Sequence, residues 1–183
     1  VVLFPQYEWM RIVGRLSYPL FAFCIAEGCR YTKNKLRRFL SVFVLGVICE
    51  IAFVVTQGMY IGNILLTFSI SILLIYLLQY AKKKYLENTK NGVLLFALFA
   101  VSIVLTFVFC RYVGVEYGFF GVMTPVFVTL FDDVSKDGDN QYKNKSKRFV
   151  SCLLFAVSLL MMSLLNPPLG SIQLWCLLSV LLV

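Results

Sequence analysis

The chain has 183 residues, 60% hydrophobic and only 14% charged, with 17 Lys and Arg against 9 Asp and Glu and no His. A soluble domain is about half apolar and about a quarter charged, so this composition excludes an ordinary water-soluble body. The net charge of +8 falls in short gaps between apolar stretches, which is the distribution of a membrane protein oriented by its cations and not that of a nucleic-acid binder.

Seven apolar stretches predict an all-α, polytopic helical transmembrane bundle forming one domain over 1–183. The first stretch, 12–29, holds Gly14, Arg15 and Pro19 and ends at Glu27 and Gly28; residues 30–38 then carry five cations. The second, 39–56, ends in an uncharged turn at Gln57 and Gly58. The third, 60–80, is followed by Lys82, Lys83, Lys84 and Lys90. The fourth, 93–110, closes on Arg111. The fifth, 114–131, contains Glu116, Tyr117 and Pro125, and a polar segment from 132 to 147 leads to the sixth, 149–165. After an uncharged turn at Pro167 and Pro168, the run 171–183 is shorter than the ~20 residues of a spanning helix. There is no initiator Met, so a longer protein with a further helix upstream, and about eight or more spans in all, is expected.

Of the 17 cations, 14 lie after stretches one, three and five. Positive loops face the cytoplasm, which puts the basic clusters inside and the turns at Gln57, Arg111 and Pro167 outside. Tyr60, Tyr80, Tyr85, Tyr112, Trp9 and Trp175 read as interfacial anchors. Gly46, Gly62, Ser69 and Ser71 read as helix-contact residues. The six cysteines lack CxxC spacing and read as small buried hydrophobes. No P-loop, dinucleotide fingerprint, metal-ligand spacing or nucleophile elbow is present, and no metal site is expected.

Ionisable groups inside spans cost ~3 kcal/mol each, so they mark function by default. Four such groups are Arg15, Glu27, Glu50 and Glu116. Arg15 lies roughly 22 Å above the cytoplasmic edge and Glu50 roughly 18 Å, at the helical rise of ~1.5 Å per residue. An ion pair between them is geometrically allowed, either as part of a site or as a lock on helix packing. Asn63, Thr67, Glu116 and Tyr117 enter their spans from the same outer side. Glu27 falls ~120° around the helix from Arg15. With Arg30, Tyr31, Thr32, Lys33 and Asn34 it suits an anionic ligand approached from the cytoplasm.

The stretch Gly14-Arg15-Leu16-Ser17-Tyr18-Pro19-Leu20-Phe21-Ala22-Phe23, then Glu27-Gly28, then Tyr31-Thr32-Lys33-Asn34, resembles the TraX family. Asn63 with Thr67, and Tyr117 with Gly118, match more loosely. The specific motif is confined to the first of these stretches, while the hydropathy agreement covers nearly the whole chain. The resemblance implies a bacterial inner-membrane acyltransferase using acetyl-CoA, whose founding member is linked to N-terminal acetylation of conjugative pilin. It implies an Asp-His pair on an opening helix, which does not occur in these residues. It makes Arg15, Glu27, Asn63 and Tyr117 the catalytic candidates and Arg30, Thr32, Asn34 and Arg37 the donor-binding candidates. Gly14, Pro19, Gly28, Glu50, Thr67 and Glu116 are the structural or cavity positions. Expected partners are membrane lipids and an amine or hydroxyl acceptor on a protein N-terminus, a lipid headgroup or a glycan. Two other classes stay open: a small transporter or flippase with an Arg/Glu path, and a non-catalytic assembly partner.

Overall fold

A computed structural model describes the backbone of residues 8–58, 60, 62–87, 89–113, 117–130 and 145–165, and their side chains except those of 8–16, 57, 89, 145–149 and 162–165. Among the described residues the chain is all-helical: α1 (Glu8–Tyr31), α2 (Lys35–Gln57), α3 (Ile64–Glu87), α4 (Thr89–Val113), α5 (Gly118–Thr129) and α6 (Lys145–Leu165). The helices run past the apolar stretches and into the basic clusters. Lys, Arg and Leu are good helix formers, so nothing stops the helix where hydropathy falls. Arg30, Lys84 and Arg111 sit in last turns, where a cation complements the helix dipole. The third stretch departs from expectation at its front, since residues 60, 62 and 63 precede α3 as a non-helical lead.

Among the described residues, three helices are long and apolar enough to cross a membrane: Lys35–Thr56, Ile64–Glu87 and Lys90–Val113. At ~1.5 Å per residue each exceeds the ~30 Å hydrocarbon core. α5 has 12 residues and rises only about 18 Å. The seventh stretch lies outside the described residues.

α3 is the central post, with 50% of its spanning window buried against 11% for α2 and 17% for α4. It packs on α1, α2, α4 and α5, while α5 also meets α1, α4 and α6. Its inward face reads Thr67, Ser71, Ile75, Leu78, at a spacing of three and four. α2 and α4 turn Val44, Leu45, Ile48 and Ile51, and Leu94, Leu98, Val101 and Leu105, outward. Lipid accepts such faces, so their exposure carries no hydrophobic cost.

The buried hydroxyls act as helix glue. Pro125 has no N–H, so the Gly121 carbonyl one turn earlier loses its helical donor. The Tyr18 hydroxyl, on α1, donates to that carbonyl at 2.7 Å. One residue on, Ser71 Oγ donates to the Val122 carbonyl at 2.8 Å, and Thr124 and Ser158 hydroxyls meet at 3.1 Å. One short segment of α5 is thus bonded to α1, α3 and α6. Gly46 fits its expected contact role: a Cβ there would lie 3.1 Å from the Leu66 amide nitrogen, so α2 and α3 touch backbone to backbone. Two expectations need correction. Gly62 precedes α3 as a left-handed residue (φ +68°), and it meets α2 through its amide, bonded to Glu50, instead of through helix-on-helix packing. Cys24 and Cys49 are exposed on the bundle surface, whereas Cys29 and Cys110 are buried; an apolar thiol is equally at home against lipid. Tyr60, Tyr80, Tyr85 and Tyr112 are exposed, as interfacial anchors should be.

Candidate functional site

Two polar constellations lie at opposite ends of the bundle. At the basic end, the last turns of α1 and the first turns of α2 are joined by Thr32, Lys33 and Asn34. Arg30 Nη1 donates to Glu27 Oε1 at 2.6 Å across one turn. The Arg30 side chain is only 3% exposed and that of Glu27 23%, so this is an interior pair and not a screened surface one. Removing either partner would strand a buried charge.

Gly28 has a different neighbour. The Arg38 guanidinium of α2 lies against its Cα, and a Cβ there would overlap Arg38 Nη1, Nη2 and Cζ. The Thr32 hydroxyl donates to the Gly28 carbonyl at 2.5 Å and accepts from Arg38 Nη1 at 3.4 Å. The Glu-Gly pair followed by Thr therefore has a physical content. Glu27 holds Arg30, Gly28 makes room for Arg38, and Thr32 ties the α1 terminus to that same guanidinium.

Behind Arg38 stands α3. The Cys29 thiol lies beside Arg38 and Tyr76. The Lys35 ammonium is 5.2 Å from the Tyr76 ring centroid and donates to Gln79 Oε1 at 3.1 Å, with Lys83 close enough to repel it. One turn further along α3, Lys82 Nζ donates to the Thr129 and Leu130 carbonyls at 3.1 and 2.7 Å, capping the C-terminus of α5. Arg37 faces away, over a shallow outer groove with Leu36, Leu40 and Val44. Asn34 is the N-cap of α2 and makes no side-chain cap bond.

At the other end, Glu50 is buried (7% exposed). Its carboxylate accepts the Gly62 amide at 3.2 Å and the Asn63 amide at 2.9 Å. Asn63 Oδ1 in turn accepts the Leu65 amide at 2.9 Å. A carboxylate and an Asn thus satisfy donors at the start of α3, where the dipole favours negative charge. Burial, then the Glu50 carboxylate, push the Tyr60 phenol above its usual pKa. Thr67 is fully buried and donates to the Asn63 carbonyl at 3.4 Å. Tyr117, the N-cap of α5, stacks on Tyr18 with centroids 4.2 Å apart, and Tyr18 stacks on Phe68 at 5.8 Å.

Of the residues singled out in the sequence, the structure brings together Glu27, Gly28, Arg30 and Thr32 at the basic end. It brings together Glu50, Asn63 and Thr67 at the other. Pro19 is buried in α1. Gly14 and Arg15 are helical in α1, but the Arg15 side chain, and with it the Arg15–Glu50 pair, lies outside the described residues, as does Glu116. Sequence reasoning passed over Arg38, Lys35, Cys29 and Tyr76. The signal existed in α2: Phe39, Val42, Gly46 and Glu50 recur at three and four and face inward. Arg38 belongs to that stripe and Arg37 does not. Among the described residues no cluster of His, Cys, Asp or Glu has the makings of a metal site.

With this geometry in hand, the comparison with known families is decisive at one level. The family model described as TraX protein matches residues 1–183, the whole chain. The chain belongs to the TraX family. No curated protein and no solved structure matches it. The TraX motif read from 14 to 34 maps onto α1 and the link to α2, the α1 side of the basic-end constellation.

Proposed function

We propose that this TraX-family chain is the membrane-embedded body of an acetyltransferase, drawing acetyl-CoA from the basic end and modifying an amine or hydroxyl at the bundle. The observation that carries the reading is the guanidinium array at the α1–α2 junction, Arg30 held on Glu27 and Arg38 laid over Gly28. Guanidinium groups bind phosphate oxygens through paired N–H bonds, and acetyl-CoA is an anionic, phosphate-bearing thioester. Arg30, Thr32 and Asn34 at the junction, with Arg37 on the outer face of α2, remain the donor-side candidates, and the geometry argues for adding Arg38. The distribution of cations supports a bacterial cytoplasmic membrane with this end inward.

The chemistry is nucleophilic acyl substitution. The acceptor nitrogen or oxygen attacks the thioester carbonyl, a C–N or C–O bond forms and the C–S bond breaks. The electron pair leaves on the CoA sulfur, and the acceptor's proton passes to a base. Donors must meet the developing oxyanion, and Arg15, Asn63 and Tyr117 are assigned to that role, with Glu27 shaping the donor side. The sequence has no His, so the base is a carboxylate of this chain or a group beyond these residues. The acceptor class is a protein N-terminus, a lipid headgroup or a glycan.

The buried hydroxyls weigh against a transport path. Thr67, Ser69, Ser71, Thr106, Thr124, Thr129 and Ser158 each donate to a backbone carbonyl three or four residues earlier, and Ser71, Thr124 and Ser158 also join helices, so these hydroxyls are already engaged. The test is reconstitution with isotopically labelled acetyl-CoA and mass spectrometry of envelope peptides, lipids and glycans. Label should appear covalently on one class and vanish with Arg15→Ala at unchanged expression and melting temperature. Equal labelling with and without the protein refutes the proposal.

A further inference from the structure

The basic-end constellation contains two donors with no oxygen or nitrogen acceptor. Arg38 Nε and the Tyr76 hydroxyl are buried, and neither has a hydrogen-bond partner. A buried unsatisfied donor is costly, more so on a charged group, and native interiors carry few of them. Here two occur together beside the Cys29 thiol, a weak acceptor that interacts with both. They sit on different helices, α2 and α3, so helix geometry alone does not force the coincidence. The Lys35 ammonium lies over the same Tyr76 ring, with Lys83 beside it. The nearest carboxylate along α1, Glu27, is engaged by Arg30. Two cations and an aromatic hydroxyl therefore gather about the Cys29 thiol, and the Arg38 guanidinium comes this close to α1 because Gly28 has no side chain there.

We propose that Arg38, Tyr76 and Lys35 form a phosphate-binding site at the basic end of the bundle, distinct from the outward-facing Arg37. The ligand chemistry is a phosphate monoester or diester. Arg38 Nε and the Tyr76 hydroxyl donate to its oxygens, and Lys35 supplies charge at the rim. Assigning this phosphate to the acyl donor rests on the acetyl-transfer reading; the site itself does not. A phospholipid headgroup carries the same chemistry, and the experiment separates the two sources.

The full chain is reconstituted in nanodiscs of phosphatidylcholine alone, or of phosphatidylcholine with phosphatidylglycerol. Adenosine 3′,5′-bisphosphate and inorganic pyrophosphate serve as soluble probes. Binding and melting temperature are measured for the parent, Tyr76→Phe, Lys35→Gln and Arg38→Gln. Tyr76→Phe keeps the ring and its packing, so it reports the hydroxyl even where Arg38→Gln fails to fold. One hydrogen bond to a charged group corresponds to about a tenfold loss or more, and this is the expected effect of Tyr76→Phe on bisphosphate affinity. Lys35→Gln should cost a few-fold and flatten the salt dependence. These losses, at unchanged melting temperature without ligand, support the site and its assignment to a nucleotide donor. Stabilisation by phosphatidylglycerol that Tyr76→Phe removes, with no bisphosphate binding, supports the site with a headgroup as occupant and counts against the donor reading. Affinity for every probe independent of both Tyr76 and Arg38 overturns the proposal.

Discussion

The substitution Gly28→Ala separates fold from function more sharply than any charge removal. The three atoms nearest the added methyl are Arg38 Nη2, Cζ and Nη1, all at the far end of a flexible side chain. The backbone need not move. Ala is favoured over Gly inside a helix by about 0.8–1 kcal/mol, while losing the weak 3.4 Å bond from Arg38 to Thr32 costs about 0.5–1.5 kcal/mol. These offset, so the melting temperature should stay within a few degrees of the parent. Arg38, however, must leave its place over Gly28, and its Nε leaves with it. A hydrogen bond from a charged donor contributes about 1.5–3 kcal/mol, or about 10–150-fold in affinity at 1.4 kcal/mol per decade. Bisphosphate affinity of the nanodisc-embedded protein should fall by that factor. Unchanged affinity at unchanged stability would refute the placement of Arg38 over Gly28. A collapse in melting temperature would show that the contact is with the backbone and not with a movable side chain.

Other consequences follow from the packing. Tyr18→Phe should destabilise the bundle by about 0.6–2 kcal/mol, read by denaturation in detergent, and by clearly less in a Pro125→Ala background. There the restored amide reaches the Gly121 carbonyl, so an additive double-mutant cycle would sink the explanation. Glu50→Gln should loosen the first turn of α3 by about 1–3 kcal/mol, seen as faster hydrogen exchange at Gly62, Asn63 and Leu65 with little change near Leu78; uniform exchange would contradict the assignment. A lipid-soluble maleimide should label Cys24 and Cys49 well before Cys29 and Cys110, by peptide-resolved mass spectrometry. Early labelling of Cys29 would mean that the α1–α2 junction is open.

Much of this architecture is legible in the residue order, because the bilayer imposes a coarse rule that hydropathy obeys. The apolar stretches locate every described helix, and the alternation of cations groups the ends of α1, α3 and the start of α4 on one side. Helix ends were less legible, since Lys82 to Lys84 lose hydropathy without losing helix propensity. The identity of the site cation was missed for a sharper reason. Arg37 and Arg38 are neighbours in sequence but ~100° apart on the helix, and only the Phe39, Val42, Gly46 register says which faces α1. Glu50 illustrates the converse. As an intramembrane charge it suggested an ion pair, but its carboxylate is also bound to the amides of Gly62 and Asn63. Nothing in an apolar run announces that the next helix will start with its donors aimed at that acid.

The two constellations share α3, and this constrains any reaction that joins them. Asn63 and Tyr76 are thirteen residues apart, about 20 Å along the axis. A donor anchored by its phosphate near Tyr76 and an acceptor approaching near Asn63 are too far apart to react unless one reaches along α3. The wall between them is Thr67, Ser71 and Ile72, buried to within 0% exposure and bonded into α5 through Ser71. On the proposed acetyl transfer, the route to test runs beside this seam, on the α1 side where Tyr18 and Tyr117 stack. Those two rings bear on the route in opposite ways. Tyr18→Phe keeps the stack and should leave acetyl transfer within about threefold of the parent. Tyr117→Ala opens it, removing roughly 150–250 Å² of aromatic surface. With an intact fold, it should change transfer without changing phosphate affinity at the basic end. If Tyr117→Ala instead weakens bisphosphate binding as strongly as Tyr76→Phe does, the two ends are one pocket and the separation argued here is wrong.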